Sequence, residues 1–136
     1  WRGSISDLHM EVRSERIRPF FVSLVGTGLA WCILRLMGAP PLLPNFALVS
    51  FVLLGTMLLV TLVWQISMHS MSITCAVVAA GAMYGLGTAL LLSPLIALVS
   101  IARLKLHRHT VAEVVAGGIV GGGVTVLMLL ALNPLS

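Results

Sequence analysis

The sequence predicts an all-α fold, a polytopic bundle of transmembrane helices. Apolar residues make up 59% of the 136 residues and charged residues only 9%, and a soluble domain of this size could not bury so much apolar surface. The apolar residues also gather in runs close to the roughly 20 residues that a helix needs to cross ~30 Å of hydrocarbon. We therefore expect a single domain, residues 1–136, integral to a membrane.

Five apolar runs can be delimited with this length rule. A polar segment, residues 1–18, precedes the first run. The sequence GAPPLLPN separates the first run from the second, and WQISMHS separates the second from the third. Pro19 suits the first turn of the first helix, where its missing N–H is not needed. The predicted spans cover about residues 19–37, 46–64, 71–86, 88–102 and 111–132.

The polar residues concentrate on one side of this predicted bundle. Each crossing moves the chain to the other face of the membrane, so residues 1–18, 65–70 and 103–110 share a face. That face holds every acidic residue, every histidine and all basic residues except Arg35. Such asymmetry indicates binding or chemistry at one membrane surface.

Three helices are predicted to begin at this face, after Arg18, at Ser67 or Ser70, and at Thr110. Helix N-termini carry free N–H groups and partial positive charge, and neighbouring arginines add donors. The pattern therefore predicts a site for a phosphate-like anion. The basic residues could equally meet lipid phosphates, and we expect no nucleic-acid binding.

His109 is the candidate for covalent chemistry at this site. It precedes the fifth span, flanked by Arg103 and Arg108, and Glu113 follows one helical turn later. A neutral imidazole that is held by a carboxylate can attack phosphorus, and His69 could protonate the leaving oxygen.

Structural interpretations stand beside the chemical ones. The sequence TVAE at 110–113 is a capping box, in which Glu113 bonds the start of the last helix, and this role can coexist with orienting His109. His109 and His69 could be ordinary surface histidines, and His9 and His107 are interpreted as bystanders. The glycines of AGGIVGGG lie within an apolar span, so we expect them to allow close helix packing.

Three segments, taken in order, resemble the signature motifs of the type 2 phosphatidic acid phosphatase (lipid phosphate phosphatase) superfamily. Arg103, His109 and Glu113 have the spacing of its third motif, Ser-Arg, five residues, His, three residues, Asp. The sequence ISMH at 66–69 resembles the second motif, Pro-Ser-Gly-His, and EVRSERIRP at 11–19 resembles the first, Lys, six residues, Arg-Pro. The match spans essentially the whole chain.

The chain is most similar to a small prokaryotic subgroup, with a Lys-Ile-Ser-x-His second motif and an Ala-Arg start to the third. It departs from the general pattern at Glu11, Ile66, Met68, Ala102 and Glu113. The change at Met68 matters most, because glycine there would let the backbone approach the anion closely.

The resemblance implies an integral-membrane phosphatase that hydrolyses a phosphomonoester or pyrophosphate of an isoprenoid or glycerolipid. By it, His109 forms a phosphohistidine, Glu113 orients His109, and His69 is the general acid, with no metal and no other cofactor. The phosphate-binding residues that it implies are Arg13, Arg16, Arg18, Arg103 and Ser67.

The resemblance also sets expectations for the whole protein. Family members have six spans, so we expect residues to be missing before Trp1. The expected location is a prokaryotic plasma membrane, and the expected partners are membrane lipids and a phosphorylated lipid substrate. The resemblance favours an extracytoplasmic active face, whereas the basic loops favour a cytoplasmic one; both alternatives stay open.

Two other functions are compatible with the sequence. The chain could be a catalytically silent subunit or lipid-binding scaffold of a larger membrane complex, with other membrane subunits or further copies of itself as partners. A metal site built from the four histidines is the weaker alternative, because arginine-rich loops repel cations.

Overall fold

The computed structural model describes the backbone of residues 7–132 and the side chains of residues 19–132. Within these residues the chain forms helices and no strand, which confirms the predicted all-α fold. The helices are α1 (Asp7–Leu36), α2 (Leu42–Val63), α3 (Met68–Tyr84), α4 (Leu86–Lys105) and α5 (Val111–Leu132).

Four helices are long and apolar enough to cross a membrane, namely α1 from Pro19 onward, α2, α4 and α5. They indicate an integral membrane protein, as predicted. The remaining predicted span corresponds to α3, an apolar helix of 17 residues, which is at the short end of the range for membrane-spanning helices. Because α4 has no buried residue, its apolar side chains are available to contact lipid.

The backbone of α1 extends well beyond the predicted first span. It is helical from Asp7, so the predicted helix start at Pro19 is wrong, and Pro19 lies inside the helix. Glutamate and arginine, which are good helix formers, dominate residues 11–18 and allow the helix to continue ahead of the apolar run. Of the three helix starts predicted at the anion site, the structure therefore retains those of α3 and α5.

The chain divides into two compact units, the first ending at Leu58 within α2 and the second beginning at Leu59. In the first unit, α1 approaches α2 closely at Gly28. A Cβ atom added there would lie 3.1 Å from a ring carbon of Phe51, so the absence of a side chain lets the phenylalanine ring pack against the α1 backbone.

In the second unit, α3 packs against both α4 and α5. Gly85, with a φ of +96°, is the single residue between α3 and α4. Glycine adopts this conformation without the steric penalty that a side chain would bring. Gly81 of α3 and Ala89 of α4 lie on either side of this turn. A Cβ atom added at Gly81 would lie 2.7 Å from that of Ala89, so α4 folds back tightly along α3.

Glycines of α5 lie directly against the backbone of α3 and of the residue before it. A Cβ atom added at Gly117 would collide with the carbonyl oxygen of Ser67, and one added at Gly121 would collide with the carbonyl oxygen of Met71. The expectation that the AGGIVGGG segment allows close helix packing is confirmed at Gly117 and Gly121.

Candidate functional site

Three helix ends meet at one end of the second unit, where α3 and α5 begin and α4 ends. Just ahead of α3, the Ser67 N–H donates a hydrogen bond of 3.0 Å to the carbonyl oxygen of Glu113 in the first turn of α5. After α4, the Arg108 N–H donates to the carbonyl oxygen of Arg103 at 3.2 Å. The structure thus brings together the polar segments 65–70 and 103–110.

His109 and Glu113 form a close pair at this end. Nδ1 of His109 lies 2.9 Å from Oε2 of Glu113, and the two side chains are only 5% and 19% exposed. An ionised carboxylate can only accept hydrogen bonds, so the Nδ1 atom of a neutral His109 must carry the hydrogen. The lone pair of His109 is then on Nε2, which is the atom free to attack an electrophile.

The same carboxylate closes the predicted capping box. Oε2 of Glu113 accepts the Thr110 N–H at 3.1 Å, and the Glu113 N–H donates to Oγ1 of Thr110 at 3.3 Å. These bonds satisfy two N–H groups at the start of α5 that have no partner within the helix. Glu113 therefore caps α5 and holds the ring of His109 at the same time.

Ser67 is the N-cap of α3. Its Oγ accepts the Ser70 N–H at 3.4 Å and the Ser70 hydroxyl at 3.2 Å, and both serines are buried. One of the two predicted caps for this helix is thereby confirmed. The structure gives the Ser67 hydroxyl this local role, and its contact with phosphate stays a prediction.

His69 lies in the first turn of α3, exposed to solvent and ahead of the predicted third span. Partial desolvation of its ring lowers the pKa of His69 below the ordinary value for histidine, and the charge of Arg103, and that of His109 when its ring is protonated, lower it further. Ser67, two residues before His69, is hydrogen-bonded to the backbone of Glu113, so His69 lies at the same end of the second unit as His109.

Arg103, in the last turn of α4, offers an unused hydrogen-bond donor. Its Nε is buried and has no hydrogen-bond partner within the described part of the chain. Leaving a buried donor unpaired costs about 1–3 kcal/mol, and more when the group is charged. An anion that accepts this N–H would recover that energy.

His107 shapes the turn between α4 and α5. Its φ is +50°, its N–H donates to the carbonyl oxygen of Leu104 at 3.0 Å, and the next N–H, of Arg108, returns to Arg103. This is a Schellman motif with histidine at the left-handed position that glycine normally occupies. No glycine marks the end of α4, so this turn could not be predicted from the sequence.

Some predicted site residues cannot be placed. The side chains of Arg13, Arg16 and Arg18 lie outside the described residues, as does that of His9. Among the side chains from position 19 to 132, no three His, Cys, Asp or Glu residues are grouped so that they could hold a metal ion. The alternative of a histidine metal site therefore gains no support from this region.

No protein-family model, curated protein or solved structure matches the chain. The resemblance to the phosphatidic acid phosphatase superfamily stays a prediction from motif order and spacing. A functional assignment consequently depends on the side chains of the site and on their geometry.

Proposed function

We propose that this chain is an integral-membrane phosphatase that hydrolyses a phosphomonoester or pyrophosphate of an isoprenoid or glycerolipid through a phosphohistidine intermediate. The observation that carries the proposal is the 2.9 Å contact between His109 Nδ1 and Glu113 Oε2, in a site that also contains His69 and Arg103. The order and spacing of the three motif-like segments support the same chemistry.

In the first step, Nε2 of His109 attacks the phosphorus atom. An N–P bond forms while the bond from phosphorus to the leaving oxygen breaks. Glu113 accepts the Nδ1–H, which fixes the tautomer and stabilises the positive charge that develops on the ring. Because the pair is largely shielded from solvent, this charge stabilisation is stronger than it would be in water.

His69 acts on the leaving oxygen. In its protonated form it donates a proton to the leaving oxygen as the P–O bond breaks. The leaving group therefore departs as an alcohol or a protonated phosphate, and not as the more basic alkoxide or deprotonated phosphate. In the second step the neutral His69 accepts a proton from water, the water oxygen attacks phosphorus, and the N–P bond to His109 breaks. Phosphate is released, and both histidines regain their starting protonation states.

Arg103 contributes the charge that phosphoryl transfer requires. Its buried Nε–H has no partner within residues 19–132, and a guanidinium donor suits a phosphate oxygen in geometry and charge. With arginine at this position and imidazole as the nucleophile, the mechanism does not call for a metal ion.

The position of the site favours a lipid substrate. It lies where α3 and α5 begin and α4 ends, and α4 and α5 are long, apolar and suited to span a membrane. Side chains at such helix ends lie at the depth of lipid head groups. A phosphate that is attached to an apolar chain can therefore reach the site while its chain stays in the hydrocarbon.

Phosphate release from the purified protein in detergent tests the proposal. We expect hydrolysis of an isoprenyl or glycerolipid phosphate in the presence of a chelator, and no measurable hydrolysis by His109→Ala. His107→Gly is the matched control, because it alters an exposed histidine in the same turn. Full activity in His109→Ala, or activity lost on chelation, would contradict the proposal. Absence of turnover on every substrate, together with stable binding to partner subunits, would support the scaffold alternative.

A further inference from the structure

Gly117 of α5 is in direct contact with the backbone of Ser67, the residue that precedes α3. A Cβ atom added at position 117 would lie 2.5 Å from the carbonyl oxygen of Ser67, 3.3 Å from its carbonyl carbon and 3.4 Å from its nitrogen. Carbon–oxygen contacts in proteins are normally about 3.3–3.6 Å. Glycine is therefore the residue that fits position 117 without displacing the chain at Ser67.

A hydrogen bond holds the other side of the same residue. The Ser67 N–H donates to the carbonyl oxygen of Glu113 at 3.0 Å, and Glu113 is one helical turn ahead of Gly117. Two successive turns of α5 thus hold the backbone of Ser67, one through a hydrogen bond and the other through steric contact.

The register of α3 on α5 continues the same pattern further from the site. Gly121 faces the backbone of Met71, and the hydroxyl of the fully buried Thr125, one turn further along α5, donates to the carbonyl oxygen of Gly121 at 2.6 Å. These positions follow one another at intervals of four residues along both segments, 67 and 71 on one and 117 and 121 on the other. Close backbone approach at small residues is a main source of helix association in membranes, and here it fixes one helix lengthwise on the other.

The two histidines of the site belong to the two sides of this contact. His69 is two residues beyond Ser67 in the first turn of α3, and His109 is tied to α5 through Glu113. We propose that Gly117 is a positioning residue, which sets the separation of His69 from His109 by fixing the backbone of Ser67. Its catalytic consequence rests on the proposed phosphatase function, whereas the separation itself does not.

The test is Gly117→Ala with two matched glycine-to-alanine controls in the same helix. A Cβ atom at position 123 would meet nothing within 4 Å, and one at position 118 would lie 3.6 Å from Oγ1 of Thr74, an ordinary contact. All three substitutions raise helix propensity equally. Gly117→Ala is the one that displaces Ser67.

Hydrolysis of two esters is the first readout. An alkyl phosphate needs a proton on its leaving oxygen, whereas nitrophenyl phosphate does not. A displacement of roughly 1 Å between reacting groups can lower a rate on the order of 10²-fold. For Gly117→Ala we expect a loss of this size with the alkyl ester and a loss of only a few fold with the nitrophenyl ester, and no change for Gly118→Ala or Gly123→Ala. Equal losses with both esters would overturn the proposal.

Titration of His69, followed by NMR of the histidine rings, is a second readout that needs no activity. In Gly117→Ala the pKa of His69 should change, because a displaced α3 start alters the burial of its ring and its distances from Arg103 and His109, whereas the two controls should leave it unchanged. An unchanged pKa in Gly117→Ala would overturn the proposal. If the wild-type protein hydrolyses neither ester, the proposed function fails, and this titration alone decides whether Gly117 positions His69.

Folding of each variant is checked by circular dichroism. Gly117→Ala should keep its helical content. Unfolding of this variant alone would overturn the proposal, because the contact would then hold the helices together instead of setting the distance between two side chains.

Discussion

Nδ1 of His109 lies 2.9 Å from Oε2 of Glu113, and the same oxygen accepts the backbone N–H of Thr110 at 3.1 Å. One carboxylate oxygen therefore caps a helix and orients the proposed nucleophile. The cap needs only an acceptor, whereas the developing imidazolium needs negative charge. Substitutions can separate these two requirements.

Glu113→Gln should affect rate much more than stability. Glutamine retains an oxygen that can accept the Thr110 N–H, so we expect a loss of less than about 1 kcal/mol in the free energy of unfolding. Without the negative charge, the imidazolium of the transition state is less stable, and we expect a fall in kcat on the order of 10²-fold or more. Turnover and thermal unfolding of the same preparation measure both effects. An unchanged kcat would leave Glu113 as a cap only.

Thr110→Ala should show the opposite pattern. It removes the Oγ1 that accepts the Glu113 N–H at 3.3 Å and leaves the carboxylate and His109 in place. We expect a loss of about 1 kcal/mol in the free energy of unfolding, as is typical for an N-cap, and little change in kcat. A rate loss as large as that of Glu113→Gln would show that the cap and the orientation of His109 cannot be separated.

The pH dependence of kcat/KM should follow His69. A general acid must be protonated, and the pKa of His69 is lowered by desolvation, by Arg103 and by His109. The active form should therefore be lost as pH rises through a value below about 6.5, the ordinary pKa of histidine.

Arg103→Gln should move this alkaline limb to higher pH, because one of the positive charges that lower the pKa of His69 is removed. The activity should also fall, because phosphate loses a donor. Arg108→Gln is the matched control, since Arg108 is exposed and does not contribute to the lowered pKa of His69. A limb at the same pH in wild type and Arg103→Gln would argue against His69 as the general acid.

His107→Gly tests whether His107 is a bystander. Histidine at a φ of +50° is disfavoured by its Cβ, a strain of about 1–2 kcal/mol that glycine does not have. We expect the variant to be as stable as wild type or more stable, with unchanged kcat. A clear loss of turnover in a well-folded His107→Gly protein would assign His107 a role in the reaction.

The sequence could predict the helices and the His109–Glu113 pair because both depend on local spacing. Apolar runs of membrane length identify spans. His109 lies just ahead of α5 and Glu113 in its first turn, so the two are close in sequence and meet through the local geometry of the helix start. The start of α1 was predicted wrongly because hydropathy reports where lipid begins, and the helix continues through polar residues ahead of Pro19.

Contacts between distant segments could not be predicted in the same way. The hydrogen bond from Ser67 to Glu113 and the approach of Gly117 to Ser67 depend on how α5 packs against α3. The glycines of α5 predicted close packing, but several of them lie on different faces of the helix. Which of them meets the chain ahead of α3 is a property of the folded unit.

Detection of the covalent intermediate tests the central claim most directly. Wild-type protein, incubated with a lipid phosphate labelled in its phosphate group and then denatured in alkali, should retain label in an acid-labile form, as expected of a phosphorus–nitrogen bond. The His109→Ala protein should retain none, and Glu113→Gln should acquire it more slowly. Equal labelling of wild type and His109→Ala, or label on any residue other than His109, would contradict the account.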